Sequence, residues 1–129
     1  MQFPLSEIVD RWTILKLKTE RLPSEGTLIE IFDVFTSELE KQLDKLDENI
    51  RQKISGLIEE LYIHNKSIWD LEADLRAGRM DEKKDLEEIG RRAIKIRDNN
   101  KLRLQAKNKI TLLVAQKIGF DRKIHHLSE

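Results

Sequence analysis

Asn65, Trp69 and Glu72 recur at i, i+4, i+7, and so do Asn100, Arg103 and Lys107, a spacing that sets each trio on one face of a helix. These residue types suit a polar binding groove. Arginine and lysine meet an anion, the amides orient it, the indole offers a face to an aromatic or sugar ring, and the carboxylate takes a hydroxyl or a metal. Each trio interrupts an apolar stripe. Leu86, Ile89, Ala93 and Ile96 lead into the second trio, and Ile110 and Val114 follow it. Ile54, Leu57 and Leu61 lead into the first, with Ile68 inside it and Leu75 beyond. Two seams that turn polar midway mean either a ligand groove or a buried ion-pair and amide layer that fixes helix register. The spacing alone leaves both open.

Other candidate chemistry is thinner. Asp10 shares an otherwise apolar row with Ile14, Leu17 and Arg21. Near a helix N-terminus a carboxylate is favoured by the dipole, so partial exposure is expected there ahead of a role in the groove. His64 follows Glu60 by one turn, while His125 and His126 fall near the chain end. A usable metal site needs three or more convergent ligands, so none is predicted. Asp70, Glu72 and Asp74 cannot all face inward, because residues two apart diverge on a helix. All-helical nucleotide pyrophosphohydrolases hold magnesium with Glu-x-x-Glu and Glu-x-x-Asp carboxylates on two helices. Here Glu7/Asp10, Glu30/Asp33 and Glu82/Asp85 have the second spacing without a matching Glu-x-x-Glu on an inner face. That reaction, with magnesium as cofactor, is therefore the lesser alternative. There is no glycine-rich phosphate loop and no serine elbow.

The elements that must carry these residues are helical. Apolar residues make up 39% and charged residues 37%, with only two prolines and five glycines, a balance that favours a helical bundle over a sheet protein. Ser6 reads as an N-cap behind Pro4, opening a first helix with Ile8, Trp12 and Leu15 that runs to about Leu22. Pro23-Ser24-Glu25-Gly26 is the clearest turn. A second helix from Thr27 carries Leu28, Phe32, Phe35, Leu39, Leu43 and Leu46. It either breaks at Asp47-Glu48-Asn49 or continues into the third, which ends around Arg76-Ala77-Gly78. Asp81 is a candidate cap for a fourth helix of nearly forty residues, about 55 Å long, with Gly119 as its stop. The expected fold is all-α, an antiparallel bundle of three to four helices with one long C-terminal helix. Residues 1–119 form one domain and 120–129 a polar tail. The first helix covers only part of the fourth, which argues for a homodimer. Counted from a turn at Gly78, Arg91 and Arg92 fall closer in level to Glu72 and Asn65 than Arg103 does.

Charge and composition limit the partners. Net charge is zero, yet Arg91 to Lys109 holds eight basic residues against one acid, and Glu30 to Glu60 nine acids against four bases. An acidic helix lying beside a basic one accounts for this, and a surface that collects anions is the functional counterpart. No aromatics interleave the basic run, so single-stranded nucleic acid is a poor match. With no cysteine there is neither a disulfide nor a thiolate metal site. The Met-Gln-Phe-Pro start lacks the basic and apolar pattern of a signal peptide, and no apolar run approaches bilayer length. A cytoplasmic protein without a membrane partner is expected.

Three blocks resemble an uncharacterised family of short all-helical bacterial and phage-type proteins, some encoded near glycan-biosynthesis genes. Ser6-Glu7-Ile8-Val9-Asp10-Arg11-Trp12-Thr13-Ile14-Leu15-Lys16-Leu17-Lys18 resembles its opening G-E-hydrophobic-hydrophobic-D-K-x-T/S-I-L-x-I-K. Asn65 to Arg76 is similar to its N-x-x-L-W-D-I-E-D-x-I-R, and Ile96 to Ile110 to its N-D-x-R-x-x-x-K-x-x-I-N. The resemblance covers most of the chain and carries no established activity. By position it implicates Asp10, Asn65, Trp69, Glu72, Arg76, Asn99 or Asn100, and Arg103. The family's acidic, Tyr-ending C-terminus is replaced here by Phe120 to Glu129.

The leading expectation is a binding protein that holds a small anionic molecule, a nucleotide or nucleotide-sugar, between the third and fourth helices. Arg103 and Lys107 would meet phosphate, Asn65 and Asn100 would orient the ligand, and Trp69 would stack on it. The alternative outside enzymology is an assembly module whose polar layers set register.

Overall fold

The computed structural model describes residues 3–22, 26–76 and 85–128, with side chains placed over 3–22, 26–73 and 85–116. The fold is all-α: helices α1 (Leu5–Arg21), α2 (Gly26–Asp44), α3 (Glu48–Arg76) and α4 (Leu86–Ser128), and no strand among the described residues. The Pro23-Ser24-Glu25 turn, Gly78 and the Asp81 cap lie outside those residues.

Helix ends follow local chemistry, with two corrections. Pro4, not Ser6, occupies the N-cap position of α1, and its carbonyl accepts the Glu7 and Ile8 amides at 3.0 and 3.1 Å. The proline ring already supplies the entry geometry, so Ser6 falls inside the first turn and is buried there. The chain does break between α2 and α3. Asp47 turns its carboxylate onto the Ile50 amide at 2.9 Å, an N-cap that starts α3 afresh. Gly119 does not stop α4, which runs through it to Ser128. At 43 residues α4 is about 64 Å long.

Three helices form a bundle and the fourth lies against its side. α3 and α4 run antiparallel, as the Arg92–Leu71 and Asn99–Ser67 contacts show. α1 enters between them antiparallel to α4, with Asp10 level with Arg103 and Glu7 level with Lys107. α2 folds back onto α1, where Trp12 stacks on Phe32 at 5.8 Å and donates its indole N–H to Thr36 Oγ1 at 2.9 Å. The shared core comprises Leu5, Ile8 and Val9 of α1, Leu39 and Leu43 of α2, Ile54 and Leu61 of α3, and Ala106 and Ile110 of α4. Burying such side chains supplies most of the driving force, about 1.5–3 kcal/mol for each large one.

The stripe on α3 is as the spacing predicts, with Ile54, Leu61 and Asn65 all buried. On α4 the expected seam holds in part: Ile110 is fully buried and Ile89, Ile96, Asn100, Arg103, Lys107 and Val114 are partly buried, whereas Leu86 and Ala93 are exposed and the fully buried Ala106 was not in the seam. Ala106 is small enough to bring the α4 backbone close to its neighbours. No helix among the described residues is long and apolar enough to cross a membrane.

Gly90 stands inside α4 with nothing within 4 Å of where a Cβ would project. A helical glycine in open space costs backbone entropy that alanine does not. Gly90→Ala is therefore expected to raise stability by about 0.5–1 kcal/mol, read as a higher urea midpoint at unchanged slope.

Candidate functional site

The polar parts of both seams converge where α1 crosses α3 and α4. Asp10 is the hub. It is 3% exposed, which overturns the expectation of partial exposure at a helix start. It lies on the inward face with the buried Leu17 and the partly buried Ile14, so the carboxylate has to be met by protein groups. Arg103 meets it side-on, Nε to Oδ1 at 3.0 Å and Nη2 to Oδ2 at 2.7 Å, the bidentate geometry that suits guanidinium and carboxylate planes. Asn65 donates from Nδ2 to Asp10 Oδ1 at 3.2 Å and to Thr13 Oγ1 at 2.8 Å. The Thr13 hydroxyl in turn donates to the Asp10 carbonyl one turn back at 2.7 Å. Lys107 Nζ lies 2.6 Å from Glu7 Oε1 and 3.6 Å from Asp10 Oδ2. Asn100 Oδ1 accepts from Arg103 Nη1 at 3.4 Å.

Two acids and two bases thus neutralise one another across α1 and α4. Burial pushes the Asp10 carboxyl up, but the Arg103 and Asn65 hydrogen bonds, with the Arg103 and Lys107 charges, outweigh it and hold the group below its ordinary 3.8. The hydrogen bond to Asp10 raises Arg103 in spite of its desolvation. The consequence for stability has a definite sign. A carboxyl whose folded pKa is depressed contributes fully above its unfolded value, and that contribution is lost as pH falls through the folded value. The wild-type protein is therefore expected to lose stability as the pH drops below about 3.8. Asp10→Asn should lack this part of the acid slope, which urea midpoints measured from about pH 6 down to about pH 2 would reveal.

Beside the network a cleft of about 180 Å³ opens between α1, α3 and α4, lined by Ile14, Leu17, Asn65, Ile68, Trp69, Glu72 and Arg103. One side of Arg103 is fixed on Asp10 and Nη1 donates to Asn100, while the residue also lines this cleft, so one N–H each of Nη1 and Nη2 remains for a further acceptor. Glu72 lines the same cleft and has no ion-pair or hydrogen-bond partner among the described residues. Arg21 lies over the Trp69 ring, its guanidinium carbon 6.0 Å from the centroid, and is itself bonded to Asp70.

The eight residues read from the sequence separate into three groups. Asn65, Trp69, Glu72 and Arg103 share the cleft. Asp10, Asn100 and Lys107 stand behind it, holding Arg103 or balancing its charge. The Arg76 side chain lies outside the described residues. The cleft is bounded by α1 as well as by α3 and α4, so the expected two-helix groove is a three-helix junction. Counting from Gly78 misplaced the levels in part: Arg92 does bond to the Leu71 carbonyl beside Glu72, at 3.4 Å, but it is Arg103 that shares the Asp10 carboxylate with Asn65.

Sequence reading missed Thr13 and the role of Glu7. Both lie one turn from Asp10, at i+3 and i−3, and that spacing was the available signal. His64 is paired through Nδ1 with Asn99 Oδ1 at 3.2 Å, and its Nε2 lies 3.5 Å from Glu60 Oε1 without a hydrogen bond. Asn99 also donates to Ser67 Oγ and the Lys95 carbonyl, so the two adjacent asparagines serve different contacts. Among the described residues no group of three or more histidines and carboxylates is gathered for a metal. Comparison with protein-family models, curated proteins and solved structures finds no match to this chain.

Proposed function

We propose that the protein binds a small acid in the three-helix cleft, its carboxylate or phosphate received by the outer N–H groups of Arg103. The observation that carries this reading is that Arg103 and Glu72, the latter without a partner among the described residues, line one apolar-walled cleft. Asp10 holds the guanidinium in place, so its unused donors are preorganised. Glu72 would oppose a simple anion, and its natural complement is an ammonium or hydroxyl on the same ligand. Ile14, Leu17, Ile68 and Trp69 would cover the ligand's carbon skeleton. A small amino or hydroxy acid meets all three demands. The three blocks of the family resemblance also fall on this junction.

Size revises the expectation of a nucleotide. The cleft's 180 Å³ is below the roughly 300–1,000 Å³ of ordinary ligand pockets. A nucleotide or nucleotide-sugar could place only its phosphate here, with the remainder outside over Trp69. Lys107 would not reach it, being occupied by Glu7 and Asp10.

Thermal-shift titration against amino acids, hydroxy acids, inorganic phosphate and nucleotides tests the reading, with and without magnesium. A ligand at a hundredfold its dissociation constant adds about 2.7 kcal/mol, visible as a raised Tm. Glu72→Gln should remove the preference for ammonium-bearing acids over plain carboxylates. Magnesium-dependent phosphate release would instead favour the pyrophosphohydrolase alternative.

The second reading is that the network only fixes register, and one observation favours it: Arg103 and Lys107 already have Asp10 and Glu7 as counter-charges. A complete absence of thermal shifts, with the Asp10–Arg103 pair still essential to folding, would leave this reading standing alone.

A further inference from the structure

Two exposed surfaces, far from the cleft in their use of residues, complement each other. The first is a groove of about 400 Å³ between α3 and α4, lined by Leu57, Leu112 and Leu113 with Lys53, Lys109 and Gln116 around them. Leu112 is 62% exposed, and neither lysine has a partner among the described residues. The second is the outer face of α2. Val34 is 57% exposed there, and Ile31, 43% exposed, stands where this face meets the α1–α2 cleft, beside Arg11 and Lys18. Glu30 and Glu38 flank Val34 at i−4 and i+4, so the four residues share one helical face. Among the described residues Glu30 has no partner, and Glu38 only accepts a hydrogen bond from Gln42 at 3.2 Å. One surface is apolar bracketed by two cations, the other apolar bracketed by two anions.

Both belong to this chain, but α2 packs on α1 while α3 and α4 alone line the groove, so within one molecule they do not meet. We infer that the outer face of α2 docks into the α3–α4 groove of a second copy, Ile31 and Val34 against the three leucines and Glu30 and Glu38 toward Lys53 and Lys109. The contact joins two different surfaces. It closes as a reciprocal pair or continues from copy to copy. Charge complementarity sets the register, and the exposed Leu112 and Val34, with the partly exposed Leu57 and Leu113, give up water on docking. This is also the surface through which a homodimer, expected above from helix length, would form.

Charge reversal on the full-length chain tests it by sedimentation velocity at low salt. Wild type should associate at micromolar concentration and weaken as salt rises. The double reversal Glu30→Lys/Glu38→Lys and the double reversal Lys53→Glu/Lys109→Glu should each weaken association about tenfold or more. Mixing the two variants should restore it, because each then presents the complement of the other. Should a reversed variant lose helicity by circular dichroism, Val34→Ser and Leu112→Ser must weaken association instead. A wild-type monomer throughout that range, or folded reversals that associate as wild type does, or a mixture that fails to recover, would overturn the inference.

Discussion

Asp10→Asn is expected to destabilise the fold by about 3–5 kcal/mol, the loss typical of breaking a buried ion pair from one side. The substitution keeps size and shape and removes only the charge, so the loss comes from what stays behind. Arg103 is partly buried, its side chain 28% exposed, and would face a neutral amide in place of a carboxylate. Lys107 would keep Glu7 but lose its second acid. An asparagine at 10 also cannot accept from Arg103 on both of its side-chain atoms, so at least one guanidinium hydrogen bond is lost. Urea denaturation at neutral pH measures the effect as a lower midpoint. Replacing both partners, Asp10→Leu with Arg103→Met, should cost less than Asp10→Asn alone, because no charge is then stranded. Lys107 retains Glu7, and Asn65 retains Thr13, in that double variant. A double variant at least as unstable as Asp10→Asn would show that the pair contributes net stability and does more than set register.

Much of this arrangement is legible in the sequence, for physical reasons that differ from residue to residue. The α3 stripe is strict in phase from Ile54 to Glu72, so both its burial and its polar break follow from helical spacing alone. The junction of the seams follows for the same reason, since Asn65 and Arg103 interrupt otherwise apolar rows. What spacing does not carry is depth. Asp10 sits in the second turn of α1, where a carboxylate is as easily explained by the helix dipole as by burial. Only a partner 93 residues away decides between them. On α4, apolar residues such as Ile94, Leu102, Leu104 and Leu112 lie outside the core, so its periodicity is diluted, and the reading that named the buried Ile110 left out the equally buried Ala106. An acidic helix from the Glu30 to Glu60 stretch was expected to lie beside the basic one, and α3, which holds part of that stretch, does pack on α4. The close pairs at Arg103 and Lys107 come instead from Glu7 and Asp10 on α1, because α1 is the helix inserted against α4. The Glu7/Asp10 spacing that suggested magnesium chemistry is explained by the same two bases.

Arg103→Lys is the substitution that separates the binding role from the structural one. Lysine keeps the positive charge beside Asp10, so the fold should survive with its helicity intact and a smaller loss than Asp10→Asn brings. It cannot keep both functions of the guanidinium. Arg103 holds Asp10 through Nε and Nη2 and still has N–H groups for a ligand, because its donors diverge from one rigid plane. An ammonium is a single point, drawn to the buried carboxylate and turned away from the cleft. Each hydrogen bond to a charged group contributes roughly 1.5–3 kcal/mol, so losing one should weaken binding of a small acid about tenfold to a hundredfold, and losing two by more. The readout is an isothermal titration with whichever acid raises the Tm of the wild type. A folded Arg103→Lys protein that binds that acid as tightly as wild type would show that the acid is held elsewhere. A folded variant that no longer responds would assign Arg103 to the ligand as well as to Asp10, since the register-fixing role alone needs only the charge.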